Sequence, residues 1–211
     1  MKIKFSTVIV DLKRSEEEIY TNFGKHTKKS IKKAIKEKLF IEESKEIKEF
    51  YKRYLKFYET KKLTPSSFEE VKEENIALLF CKYKKKIVGG LVLQLNYSKE
   101  YPAAFLNFSY ENYWKSCPND ILYWEAIKWS KRNGYKIFDM GGCSLKPRKN
   151  EVGITIFKRK YGEIFEYEKE VSKYFYFKYK LVNSWIVFYK INNLLKNIRN
   201  NMKGVYQNVP N

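Results

Sequence analysis

The sequence predicts an α+β chain with a three-layer α/β core, and three stretches point to it. Ile76 to Tyr83, Ile87 to Leu95 and Ala103 to Tyr110 are rich in β-branched and aromatic residues and follow one another closely, as in an antiparallel meander. Pro118 to Gly142 then reads as one helix, a short turn and a buried strand that ends in a glycine pair. Hydrophobic residues make up 44% of the 211 residues and aromatics 18%, enough for a packed core despite 32% charge.

The remaining elements follow from local signals. Phe5 to Leu12 is rich in β-branched residues, ends at a polar Lys-Arg-Ser and predicts a strand. Ser15 opens S-E-E-E, a capping-box start for a short helix to about Phe23, because the serine and the third glutamate can satisfy each other's backbone N–H. His26 to Lys38 places Ile31, Ala34 and Ile35 at helical spacing and fills the rest of the circumference with cations. Ile41 to Lys61 predicts a further amphipathic helix with Ile47, Phe50, Tyr51, Tyr54, Leu55 and Tyr58 on its apolar side, and Thr64-Pro65 breaks it before a short helical piece through Val71. Lys84-Lys85-Lys86 predicts a tight turn, and Gly89-Gly90 a bulge or a close backbone approach. In the Pro118 stretch, Asn119 is the expected N-cap, Asp120 lies in the first turn, and Asn133-Gly134 is the left-handed stop. Gly153 leads into Ile154, Ile156, Phe157 and Tyr161, which one face of a short helix can hold. Ile164 to Val171 alternates with Glu166, Glu168 and Glu170 and predicts a strand with one wet face. From Tyr174 to Lys203 an aromatic cluster precedes a basic amphipathic helix, suited to packing on the domain or lying on an anionic membrane surface. The expected organisation is a single domain over 1–172, with an N-terminal strand and helices in 1–62 and the sheet and motif core in 76–172, followed by a 173–211 aromatic and basic helical extension.

Three strings carry a family resemblance: N-D-x-L-x-W-E-A-I-K-W from Asn119, G-Y-K-x-F-D-M-G-G from Gly134, and G-I-x-x-F-K-x-x-Y-G from Gly153. They resemble the C-terminal domain of the FemABX family, the aminoacyl-tRNA-dependent transferases that build peptidoglycan cross-bridges, and equally a broader group of GNAT-fold acyltransferases. The T-K-K-S-I-K-K-A-I-K string from Thr27 is similar to a basic Fem helix, although Lys28 stands where that pattern has arginine and cannot grip a phosphate bidentately. The resemblance implies a GNAT-like domain, an aminoacyl-tRNA donor and an amine of a cell-envelope precursor as acceptor. It covers most of Thr7 to Gly162 and leaves no room for a complete first Fem domain, so a shorter acceptor, a partner subunit or a homodimer is expected to substitute for the missing part.

Charge and chemistry narrow the options. A net charge of +19 favours polyanions, whether RNA, nucleotide phosphates or anionic lipid. Cys81, Cys117 and Cys143 show no C-x-x-C spacing, so neither a disulfide framework nor a structural metal site is expected, and a reducing, cytoplasmic setting fits. No apolar run reaches the roughly 20 residues of a membrane-spanning helix. His26, the sole histidine, lies inside the basic helix, which argues against a hydrolytic triad.

The candidate residues follow. The resemblance assigns Phe157-Lys158 to the tRNA acceptor end and the reacting ester: Phe157 to stack on a base, Lys158 to stabilise an oxyanion or a phosphate. Core packing for Phe157 and a surface position for Lys158 are the plain alternatives. Asp139, at a strand end before Gly141-Gly142, can accept a proton from the attacking amine or cap the next loop. Lys28 and Lys32 are expected to contact phosphates, Lys146 and Arg148 belong to a cation-rich loop where such sheets hold ligands, and Trp124 is a further substrate-binding candidate. The Q/R-x-x-G-x-G/A turn of acyl-CoA enzymes is missing, so no cofactor is expected. An acyl-CoA-dependent N-acyltransferase acting on an envelope sugar, and a non-catalytic domain binding RNA or membrane, are the competing readings.

Overall fold

The computed structural model describes residues 1–61, 65–68, 75–98, 101–143 and 152–173. Its elements run β1 (Lys2–Asp11), α1 (Glu16–Asn22), α2 (Lys25–Lys36), β2 (Phe40–Ser44), α3 (Ile47–Thr60), β3 (Ile76–Tyr83), β4 (Lys86–Ser98), β5 (Tyr101–Ser109), α4 (Pro118–Arg132), β6 (Ile137–Gly142), α5 (Val152–Arg159) and β7 (Glu163–Glu170). Among the described residues seven strands form one mixed sheet in the order β2-β3-β4-β5-β6-β1-β7. By packing, Ser6–Glu166 is one compact unit, and Met1–Phe5 with the described residues from Tyr167 onward is a second, in which Phe5 and Tyr167 stack with ring centroids 5.8 Å apart.

Local chemistry accounts for most element ends. Ser15 and Glu18 form the reciprocal capping box at the start of α1. Lys84 and Lys85 both take positive φ, the conformation a two-residue hairpin turn demands, so Tyr83 faces Lys86 across the β3–β4 hairpin. Gly90 is a site of close approach: a Cβ there would meet the rings of Phe108 at 2.8 Å and Phe50 at 2.9 Å. α4 stops where predicted, with Asn133 as C-cap and Gly134 at φ +81°.

Two expectations are corrected. Residues 40–44 are not the start of the third helix. They form edge strand β2, paired antiparallel to β3 from Phe40↔Lys82 to Ser44↔Leu78, and α3 begins only at Ile47. The sheet edge supplies backbone partners that a helix pattern cannot anticipate, while Lys82 pairs with Glu42 and the Trp129 indole donates to Glu43 at 3.0 Å. The third strand of the meander likewise differs from the expected Ala103 to Tyr110, running from Tyr101 to Ser109. Glu111–Ser116 is a 3₁₀ turn that leaves Trp114 half exposed, its indole N–H donating to Ser109.

The sheet is covered on both faces. α3 packs on one through Ile47, Phe50 and Tyr54 against Leu78, Phe80, Val92, Leu106 and Phe108. On the other, α1, α2 and α4 bury Ile19, Phe23, Ile31, Ala34, Leu122, Ala126 and Ile127 against Val8, Leu79, Leu91, Leu93, Phe138 and Met140. α4 connects β5 to its parallel neighbour β6, paired at Ala103↔Asp139, and this unit sets the site.

Candidate active site

β6 ends in a turn that only glycine can make. Gly141 adopts φ +80°, and a Cβ there would approach the Ala104 carbonyl oxygen of β5 to 2.6 Å and the Lys158 Nζ to 3.2 Å. Lys158, on α5, donates from Nζ to the Gly142 carbonyl at 2.8 Å. Its ammonium is half-buried, and desolvation pulls its pKa below the ordinary lysine value, partly offset by the negative charge available at Cys143 and Asp139.

Asp139 braces the same turn. Its Oδ1 accepts from the Gly141 N–H at 2.7 Å and from the Thr7 hydroxyl across the β1–β6 ladder. Of the two roles expected for Asp139, loop capping is therefore the one its hydrogen bonds display. Ser6 closes the far side, its hydroxyl donating to the Cys143 carbonyl at 2.6 Å while the Cys143 N–H donates to Ser6 at 2.9 Å.

Phe157 and Lys158 sit side by side but face different surroundings. The Phe157 ring meets Tyr123 and Tyr161 at centroid distances of 5.3 Å, Lys160 lies 5.8 Å over it, and the residue is partly exposed. Trp124 is corrected to a core residue: it is 8% exposed and wedged against Tyr20 and Phe23 at 5.4 Å each, with Lys128 over its ring. Lys28 spends its ammonium on the Thr21 carbonyl at 2.9 Å, tying α2 to the end of α1. Lys32 is exposed on α2. Lys146 and Arg148 lie outside the described residues, as do the short helical piece through Val71 and the tail helix.

Sequence reasoning missed Thr7 and a buried pair near the start of α4. The N-cap of α4 is Cys117 in a left-handed conformation, Pro118 occupies N1, and Asn119 makes no cap. Asp120 instead turns into the fold and accepts the Tyr161 hydroxyl at 3.0 Å. Burial raises the Asp120 pKa, while the Tyr161 hydrogen bond and nearby Lys160 hold it down; burial likewise raises that of Tyr161. An acidic residue two after a helix-opening proline was visible in the sequence; its partner, 41 residues on, was not. Tyr161 also lines a cleft of about 460 Å³ between β1, α1 and the α5–β7 connection, to which Arg14, Asn22, Arg159 and Lys160 contribute polar groups.

Comparison with solved structures places the fold. A crystal structure of FemX superposes with a TM-score of 0.65 at 13% identity, covering 81% of this chain and 63% of that one. The C-terminal domain of a lysylphosphatidylglycerol synthetase from Agrobacterium fabrum follows at 0.60 and 14%, covering 80% and 60%. The chain has a FemAB-like GNAT fold. L-PGS from Bacillus licheniformis shares it at 0.57 and 16% identity, covering 80% and 61%. The chain thus spans about three-fifths of the length of these structures. No protein-family model and no curated protein sequence matches it. In this GNAT fold the helix between the parallel strands is α4, and Lys158 stands over the end of the second of them. Among the described residues no helix is long and apolar enough to cross a membrane, and no cluster of His, Cys, Asp and Glu is arranged to hold a metal.

Proposed function

We propose that this protein is an aminoacyltransferase that moves an aminoacyl group from aminoacyl-tRNA onto an amine of a peptidoglycan or other cell-envelope precursor. The observation that carries the reading is the Lys158 ammonium, partly desolvated and anchored to the Gly142 carbonyl at the end of β6. A cation held in this way can stabilise charge on an ester oxygen with little reorganisation. In the reaction the acceptor nitrogen attacks the ester carbonyl, a C–N bond forms and the C–O bond to the tRNA ribose breaks. The ribose hydroxyl leaves with a proton, and the amine gives one up. Lys158 faces the developing oxyanion and the partly exposed Phe157 stacks on the terminal base. Asp139 keeps the glycine turn, and with it Lys158, in place. Aminolysis of an activated ester requires mainly positioning, so this small set suffices.

Further support comes from the exposed lysines of α2 and from Arg159 and Lys160. Phe23, one residue before the α2 N-cap, packs on Tyr161 at 5.0 Å, so the basic helix begins beside the cationic end of α5. One fold neighbour is named a lysylphosphatidylglycerol synthetase, a name that joins an amino acid to an envelope lipid. The test is binding of purified protein to charged and uncharged tRNA at physiological salt, with acetyl-CoA titrated in parallel. A preference for charged tRNA is expected. Saturable acetyl-CoA binding with indifference to charging would assign an acyl-CoA-dependent N-acyltransferase instead.

A further inference from the structure

The start of α4 is where an α/β unit of this kind ordinarily receives a phosphate. The helix follows β5 and leads to its parallel neighbour, so its N-terminus opens beyond the carboxyl end of a strand, with N–H groups and a positive dipole end directed outward. In this chain that end is built differently. Pro118 at N1 has no N–H to give, and the Cys117 N-cap supplies no side-chain acceptor. At N3 the Asp120 carboxylate is itself an anion at this helix end, fed by its own N–H and by the Tyr161 hydroxyl at 3.0 Å. Tyr161 is 4% exposed and fixed between Phe23, Phe157 and Tyr123, so it cannot swing away to serve another acceptor.

We infer that Asp120, held by Tyr161, is the resident anion of α4 and a specificity-determining residue that turns pyrophosphate-bearing donors away from this end of the site. A second negative group there meets like charge in a desolvated setting and finds the Asp120 N–H and the Tyr161 hydroxyl already taken. An ester on a ribose, whose nearest phosphate lies across the sugar from the reacting carbon, escapes this conflict. The inference deepens the proposed donor and rests on that reading for the donor's identity alone; the exclusion stands or falls independently of it.

The test uses the full chain, with acetyl-CoA as probe, and follows the backbone amide resonances of Asn119, Asp120 and Ile121 at physiological salt. In the unaltered protein these amides should stay in place as acetyl-CoA is added. In Asp120→Asn, which keeps shape and an acceptor for Tyr161 but loses the charge, they should shift saturably with at least roughly tenfold tighter binding. Tyr161→Phe, which keeps the charge, should remain as unresponsive as the unaltered protein. Saturable shifts in the unaltered chain, an Asp120→Asn variant that is folded but unresponsive, or a responsive Tyr161→Phe would each overturn the inference. A role confined to helix stability would lower the melting temperature of Asp120→Asn without producing any acetyl-CoA response. An Asp120→Asn variant that is folded but unresponsive, or a responsive Tyr161→Phe, overturns this inference alone, whereas saturable shifts in the unaltered chain would count against the proposed donor as well.

Discussion

On one face of the sheet α3 presses Phe50 onto the bare backbone of Gly90, and around it Tyr54, Phe80 and Phe108 form an aromatic packing core. On the other face an equally aromatic cluster, Phe23, Tyr123, Phe157 and Tyr161, encloses a carboxylate and borders an ammonium. Both faces bury rings at similar spacing, and on the second the rings lie against Asp120 and Lys158, whose pKa values burial displaces toward the neutral form. Buried charge is expensive wherever it occurs, and a fold keeps it where it serves some purpose beyond packing. The difference separates the part of this molecule that holds the sheet together from the part fitted for chemistry.

Three substitutions can break or sharpen that contrast. Phe50→Ala should have the largest effect, about 3–5 kcal/mol of lost stability by denaturant unfolding, because it empties a fully buried ring site above Gly90. Any activity per folded molecule should survive it. Thr7→Val comes next. It removes one of two donors to Asp139 Oδ1 and should cost about 1–3 kcal/mol, with Thr7→Ser restoring much of the loss. A loss of transfer larger than the loss of folded protein would place Thr7 with the chemical face.

The smallest effect concerns pH. Lys158 titrates below the ordinary lysine value of 10.5 because its ammonium is desolvated, so the folded state releases that proton before the unfolded state does. Stability should therefore rise with pH between the depressed folded value and about 10.5, and be flat in this contribution below that window, where both states are protonated. Subtracting the stability–pH curve of Lys158→Met isolates the term. A difference curve that falls through the window would mean that Lys158 is stabilised, not strained, by its site.

The sequence disclosed elements whose signals are local. The Ser15–Glu18 capping box, the Lys84-Lys85 turn and the Asn133-Gly134 stop each lie within four residues, and each appears as expected. β2 was illegible because an edge strand of five residues takes its identity from β3, some 38 residues away in sequence. The site divides along the same line. Asp139 and Lys158 were legible as residues, one at a strand end before paired glycines and one within a family-like string. Their connection through Gly141 and Gly142 was not, and neither was Thr7, which reaches Asp139 across 132 residues. Trp124 misled for the converse reason: its walls, Tyr20 and Phe23, come from α1, and nothing within α4 reveals them.

The most direct measurement is single-turnover transfer from tRNA charged with labelled amino acids to an amine-containing envelope-precursor extract, comparing the unaltered protein with Lys158→Met. The account predicts a label transferred to the extract by the unaltered protein and a rate lower by roughly 10²–10³-fold in the variant, with no loss of melting temperature. Equal transfer by the two proteins, or none by either while acetyl-CoA supports acylation of the same extract, would contradict it.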